Sequence, residues 1–173
     1  MTPYLPTSLI AQHPNWHYAD FEYRAFQISA ELQQRQLRSV TVWLEDGAML
    51  ACLLLGAWHA NVRVLFPPNF TEESIQWAND HSELWLTDRD IKLEKYEQIS
   101  QFGIKQDWQK IAKNRPLFDF SNQSEIWLKT SGSTGEAKTI IKTAEQMWLG
   151  GEVLAKDLPF PSGNNITAIS TVS

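Results

Sequence analysis

The residues best suited to chemistry lie in one polar segment, residues 130–138, with the sequence TSGSTGEAK. Its two glycines allow backbone N–H groups to converge on an anion, its hydroxyl side chains add rotatable donors, and Lys138 adds a positive charge. Lys129 and Lys142 flank the segment and Glu136 is its one acid, so the local charge is positive in a chain of net charge -5. The composition predicts a loop that binds phosphate groups; the alternative is a surface loop in which Ser, Thr and Gly only form turns.

Two known sequence motifs, the P-loop and the hydrolase motif G-x-S-x-G, fit this segment poorly. Residues 132–139 match the P-loop pattern G-x-x-x-x-G-K-[ST] except that Ala137 replaces the second glycine. A P-loop also opens a helix directly, so that the helix N-terminus faces the phosphates, whereas residues 139–141 (TII) are β-branched and predict a strand. A P-loop NTPase would require a helix that begins at Thr139. The hydrolase pattern G-x-S-x-G fails because Ser131 occupies its first glycine position.

The segment closely resembles the signature loop of the acyl-adenylate-forming (AMP-binding) superfamily, which includes acyl-CoA synthetases, luciferases and the adenylation domains of peptide synthetases. The family pattern is an aromatic or small residue followed by T-S-G-[ST]-T-G-x-P-K-G. This chain departs from it at Ala137, where the family has Pro, and at Thr139, where the family usually has Gly. Residues 53–62 (LLLGAWHANV) resemble the family's helix-to-strand segment, and residues 21–37 lie where these enzymes have an early helix.

The resemblance implies that residues 1–173 are the N-terminal portion of the AMP-binding large domain. The rest of that domain and the mobile C-terminal domain would be absent, so the isolated chain is expected to be inactive. The whole enzyme would activate a fatty or aromatic carboxylic acid with ATP and Mg²⁺, giving acyl-AMP and pyrophosphate. The acyl group would then pass to a thiol of coenzyme A or an acyl carrier protein. The loop residues implied to bind the β- and γ-phosphates are Thr130, Ser131, Gly132, Ser133, Thr134, Gly135 and Lys138.

No residue of the chain is assigned a catalytic role. A competing hypothesis is a non-catalytic module that binds anions or a partner protein through the same loop. A metal site is not expected, because His13 and His17 are four residues apart with Pro14 between them and no third ligand is evident.

An alternation of helix-forming and strand-forming segments predicts the α/β fold that positions this loop. Phe21, Ala25, Ile28 and Leu32 recur at helical spacing after Asp20, the expected N-cap. Further helices are predicted over residues 48–61 and from Thr71 to about His81, and strands over residues 40–44, 62–66, 84–87 and 126–128. This alternation predicts a largely parallel sheet flanked by helices.

The segment after the loop predicts a strand, a helix and a second strand. Residues 139–141 are β-branched, and Thr143 with Gln146 forms a capping-box pattern that opens a helix before Pro159. A last strand is predicted over residues 166–172. Residues 88–123 contain few apolar residues, and these follow neither the helical nor the strand period for long. No element is therefore predicted there.

Composition and charge exclude several classes of protein. With 173 residues, 43% of them hydrophobic, the chain can bury a core, and its mildly acidic charge gives no general attraction for nucleic acid or anionic lipid. The single cysteine, Cys52, excludes an intramolecular disulfide and a multi-cysteine zinc site. The longest apolar run covers residues 48–55, far short of the roughly 20 residues that span a bilayer. The N-terminus also lacks the features of a secretory signal. Together these observations predict a cytoplasmic protein.

Overall fold

The computed structural model describes residues 5–12, 15–112, 115–119, 123–130 and 137–157. These residues form a two-stranded hairpin, a six-stranded sheet and the helices that flank the sheet. The strands are β1 (Leu9–Gln12), β2 (Asn15–His17), β3 (Ser39–Trp43), β4 (Arg63–Phe66), β5 (Leu84–Thr87), β6 (Tyr96–Gln98), β7 (Glu125–Lys129) and β8 (Thr139–Thr143). The helices are α1 (Tyr18–Gln34), α2 (Gly47–His59), α3 (Glu72–His81), α4 (Trp108–Ala112) and α5 (Ala144–Asp157).

The main sheet has the strand order β6-β5-β3-β4-β7-β8. All neighbouring strands pair in parallel except β7 and β8, which form an antiparallel pair at one edge. Helices α2 and α3 connect β3 to β4 and β4 to β5, as parallel strands require. The predicted α/β fold with a largely parallel sheet is therefore confirmed.

The main hydrophobic core lies between one face of the sheet and helices α1 and α2. Alternate strand residues such as Val40, Val42 and Ile126 belong to one buried cluster with helix residues such as Ile28 and Leu53. Helix α3 contacts the other face: the Ser82 hydroxyl just after it lies 2.6 Å from the Thr41 hydroxyl, and Trp85 Nε1 donates to Asn79 Oδ1 at 2.8 Å. The sheet is thus covered on both faces in its centre.

The first helix begins earlier than the sequence predicted. Asp20 was expected to be the N-cap, but α1 starts at Tyr18 and His17 is the capping residue. Asp20 is the third helical residue, and its Oδ2 accepts the backbone N–H of His17 at 3.2 Å. The N-cap prediction is wrong because the acid acts from inside the first turn, as the acidic member of a capping box does.

Other predicted helix starts agree with the structure. Thr143 Oγ1 accepts the N–H of Gln146 at 3.2 Å, and Gln146 Oε1 accepts the N–H of Thr143 at 3.1 Å, so the predicted capping box is confirmed. Thr71 precedes α3 as expected, but its hydroxyl donates to Asn69 Oδ1 at 2.8 Å and makes no side-chain bond to the helix backbone. The strand predicted over residues 166–172 lies outside the described residues.

Elements β6 and α4 lie in the region for which the sequence predicted none. Contacts with α1, distant in the sequence, stabilise this region. Arg24 Nη1 donates to the carbonyl oxygen of Phe102 at 2.7 Å, Arg24 Nη2 donates to that of Ile99, and Gln27 Nε2 donates to that of Ile104 at 3.1 Å. Periodicity along the chain contains no signal for such contacts.

Gly56 permits the close crossing of α1 and α2. A Cβ atom at this position would lie 2.6 Å from the backbone oxygen of Ala25 and 3.1 Å from Ile28 Cβ. We expect Gly56→Ala to lower the free energy of unfolding by about 1–3 kcal/mol, because overpacking outweighs the helix preference of alanine. Gly150→Ala in α5, where a Cβ would meet nothing within 4 Å, should raise it by up to about 1 kcal/mol. Urea unfolding of both variants measures these free energies. If both substitutions changed the free energy of unfolding in the same direction, the role of Gly56 in the close helix crossing would be contradicted.

Candidate functional site

The predicted phosphate loop leaves the sheet at the edge where α/β proteins bind ligands. Strand β7 is parallel to β4, which is parallel to β3, so the carboxyl ends of these strands lie at the same edge. The last residue of β7 is Lys129, and β8 begins at Thr139 and returns antiparallel to β7. Residues 130–138 therefore connect the two strands of a hairpin at the carboxyl edge of the parallel sheet.

Thr130 and Lys138 close the base of this hairpin. The Thr130 N–H donates to the Lys138 carbonyl oxygen at 2.9 Å, and the Lys138 N–H donates to Thr130 Oγ1 at 2.9 Å. The pair continues the β7–β8 ladder one position beyond Lys129 and Thr139. Because Oγ1 is the acceptor in its bond, the Thr130 hydroxyl hydrogen is directed at a different group and can be donated to a phosphate oxygen.

The structure brings together two of the predicted phosphate-binding residues, Thr130 and Lys138. The others lie outside the described residues, and their role stays a prediction: Ser131, Gly132, Ser133, Thr134 and Gly135. The side chain of Lys138 is exposed, and within the described residues it forms no ion pair. Its charge is therefore not neutralised by the part of the protein that the structure describes.

The flanking lysines do not add to this charge as the sequence suggested. Lys129 Nζ lies 2.9 Å from Glu73 Oε1, so a carboxylate of α3 compensates it. Lys142 is exposed but pairs in register with Ile126, near the opposite end of the hairpin from the loop. Lys138 is the lysine whose position suits a bound phosphate.

Strand β8 decides against the P-loop interpretation. That interpretation required a helix beginning at Thr139, but residues Thr139–Thr143 form a strand and α5 begins at Ala144. No helix N-terminus follows the loop directly to face a phosphate. The P-loop NTPase alternative is therefore wrong.

A buried serine and histidine form a pair that the sequence did not reveal. Ser29 Oγ lies 2.8 Å from His59 Nδ1, and His59 Nε2 lies 3.1 Å from the carbonyl oxygen of Arg115. A carbonyl only accepts, so Nε2 carries the hydrogen and the neutral ring accepts the Ser29 hydroxyl at Nδ1. Burial lowers the pKa of His59, which favours this neutral form. With both residues buried in the core, the pair tethers α1 and α2 and offers no access to a substrate.

The thiol of Cys52 also has a structural role. Cys52 is fully buried, its thiol lies 3.6 Å from the Phe21 carbonyl oxygen, and burial raises its pKa, so it is not an activated nucleophile. Among the residues with described positions, no group of three or more His, Cys, Asp or Glu could bind a metal ion. No helix in the described ranges is long and apolar enough to cross a membrane.

Comparison with known proteins finds similarity in three-dimensional structure. No family model matches the sequence, and no curated protein matches it. O-succinylbenzoate CoA synthetase from Bacillus subtilis, in complex with the acyl-adenylate intermediate OSB-AMP, matches with a TM-score of 0.65 at 13% identity, over 91% of this chain and 44% of that one. The N-terminal subdomain of Klebsiella oxytoca NpsA, in complex with 3-hydroxybenzoyl-AMSN, matches with a TM-score of 0.55 at 17% identity, over 75% of this chain and 35% of that one.

This chain shares its fold with part of o-succinylbenzoate CoA synthetase and with part of the NpsA N-terminal subdomain. The resemblance expected from the loop is therefore confirmed at the level of the fold. The synthetase in complex with ATP and magnesium ion matches as well, with a TM-score of 0.64 at 12% identity, over 86% of this chain and 33% of that one. The chain spans less than half the length of each of these solved chains.

Proposed function

We propose that residues 1–173 are the N-terminal portion of the AMP-binding large domain of an acyl-adenylate-forming ligase. The rest of that domain and the mobile C-terminal domain would belong to polypeptide outside these residues. The observation that carries the proposal is the segment 130–138: its sequence has the family pattern TSGSTG, and its two ends, Thr130 and Lys138, lie at the carboxyl edge of a sheet similar to that of the synthetase.

In the proposed reaction a carboxylate oxygen of the acid attacks the α-phosphorus of ATP. The bond between the α-phosphorus and the bridging oxygen breaks, pyrophosphate leaves with the electron pair, and acyl-AMP forms. Loop N–H groups and hydroxyls would bind the β- and γ-phosphates, and Lys138 would compensate the charge that develops on the departing pyrophosphate. The thiol acceptor, coenzyme A or an acyl carrier protein, would then displace AMP from the acyl group.

Mg²⁺ would neutralise phosphate charge in this reaction. The described residues contain no carboxylate cluster for it, and Mg²⁺ in nucleotide sites is commonly bound by phosphate oxygens, waters and only one or two protein groups. The hydroxyls of the loop suit such a site. In this proposal the metal would be bound mainly by the nucleotide phosphates and water, and not by a carboxylate cluster of the described residues.

The substrate in this proposal is a fatty or aromatic carboxylic acid. The acyl groups named in the similar structures, o-succinylbenzoyl and 3-hydroxybenzoyl, support the aromatic class. A cytoplasmic location belongs to the proposal, because one buried cysteine suits a reducing compartment.

The test is ATP–pyrophosphate exchange by the complete gene product with a panel of aromatic and fatty acids. We expect exchange that depends on the acid, and no exchange by the 173-residue chain alone. Exchange by the isolated chain would contradict its assignment as an incomplete domain. Pyrophosphate binding without acid-dependent exchange in the complete protein would instead identify a non-catalytic anion-binding module.

A further inference from the structure

Lys129 is the residue directly before the loop, where the family pattern has an aromatic or small residue. Its side chain does not extend into solvent: only 9% of it is exposed. The ammonium lies 2.9 Å from Glu73 Oε1 and 5.8 Å from the centre of the Trp77 ring, so it contacts two residues of α3. The last residue of β7 is thus tied to a helix on one face of the sheet.

The helix that contacts Lys129 is itself fixed to the central strands. Asn79 of α3 accepts a hydrogen bond from the Trp85 side chain of β5. The hydroxyl of Ser82, directly after the helix, forms a hydrogen bond with the hydroxyl of Thr41 in β3. A continuous set of contacts therefore runs from the centre of the sheet through α3 to Lys129. The next pair along the hairpin is Thr130 and Lys138.

We propose that Lys129 is a positioning residue for phosphate binding. Its ion pair with Glu73 and its packing against Trp77 keep the end of β7 in place, and with it the Thr130–Lys138 pair at the base of the loop. This inference rests on the proposed function, because it assumes that the loop binds phosphate.

The ion pair is asymmetric, which decides the variant to test. The Glu73 side chain is 79% exposed, so water solvates it whether or not Lys129 is present. The Lys129 side chain is almost covered, and among the described residues its ammonium forms no ion pair besides the one with Glu73. We therefore expect Glu73→Gln to drive Lys129 out of its place and to disturb the end of β7.

The chain offers a matched control on the same strand. At the opposite end of β7, Arg63 Nε lies 3.2 Å from Glu125 Oε2, and the Arg63 guanidinium lies 4.2 Å from the centre of the Trp127 ring. This site also combines an acid, a cation and a tryptophan, but it is remote from the loop. Glu125→Gln should affect stability alone.

The experiment measures Mg²⁺–pyrophosphate binding to the 173-residue chain by calorimetry, together with the melting temperature. We expect Glu73→Gln to weaken binding roughly 10-fold, since small displacements of binding groups carry large penalties. Glu125→Gln should lower the melting temperature about as much as Glu73→Gln does, but it should leave pyrophosphate binding unchanged. Glu73→Asp retains the negative charge, so it should bind pyrophosphate with close to the wild-type affinity. Equal affinities for the Glu73→Gln and Glu125→Gln variants would overturn the inference.

A parallel measurement separates this inference from the proposed function. In the complete gene product, Glu73→Gln should raise the KM for ATP in the exchange reaction and leave thioester formation from preformed acyl-AMP unchanged. The complete protein could lack exchange activity while Glu73→Gln still weakens its pyrophosphate binding. That outcome would reject the proposed ligase function but support the positioning role of Lys129. A wild-type chain that binds no pyrophosphate would overturn the positioning role itself.

Discussion

Replacement of Lys138 by alanine is expected to slow acyl-adenylate formation by the complete protein about 10- to 100-fold. The side chain is exposed at the base of the loop, and within the described residues no acid neutralises it. Its proposed partner is the departing pyrophosphate, and one charge-assisted contact of this kind contributes about 1.5–3 kcal/mol. Thioester formation from preformed acyl-AMP should keep its wild-type rate, because pyrophosphate has already left.

Rapid-quench measurement of the two half-reactions tests this expectation. Lys142→Ala is the matched control, because Lys142 is an exposed lysine of the same hairpin near the end opposite the loop. It should leave both half-reactions unchanged. A loss of equal size in both half-reactions of the Lys138→Ala variant would show that the lysine is structural.

Replacement of Arg24 by methionine is expected to lower the free energy of unfolding by about 2–6 kcal/mol. Arg24 is only 8% exposed and donates to the carbonyl oxygens of Ile99 and Phe102. Burial lowers the pKa of its guanidinium, but the group still serves as the donor that joins α1 to the segment after β6. Methionine retains much of the volume and leaves two carbonyl groups without their donor, at about 1–3 kcal/mol each.

Guanidinium chloride unfolding provides the measurement, with Arg89→Met as the control. Arg89 forms an exposed ion pair with Glu45, and such pairs contribute less than about 1 kcal/mol. Similar losses for both variants would show that the Arg24 carbonyl contacts contribute no more than a surface pair.

Elements with strong local signals could be predicted from the sequence. Strand β5 has the predicted limits Leu84–Thr87, and helix α3 ends at His81 as expected. The capping box at Thr143 also forms, since both of its hydrogen bonds join residues three apart. In each case the residues that determine the element are within a few positions of it.

Features that depend on distant residues could not be predicted in this way. The buried pair of Ser29 and His59 joins two helices, and neither position is marked by its neighbours in the chain. Lys129 was counted as free positive charge beside the loop, but Glu73, 56 positions earlier in the sequence, neutralises it. Both contacts form only when parallel strands and their helices assemble, so periodicity and motif spacing contain no record of them.

The antiparallel strand β8 also bears on the behaviour of the chain in concentrated solution. It is the last strand of the described sheet, so one row of its backbone donors and acceptors faces away from β7. Ile140 and Ile141 on this strand are 43% and 49% exposed, a combination that favours pairing with another chain. Lys142 on the strand and Lys138 beside it put positive charge at this edge, which discourages such pairing. We therefore expect Lys138 to limit self-association through β8, in addition to its proposed role in binding phosphate.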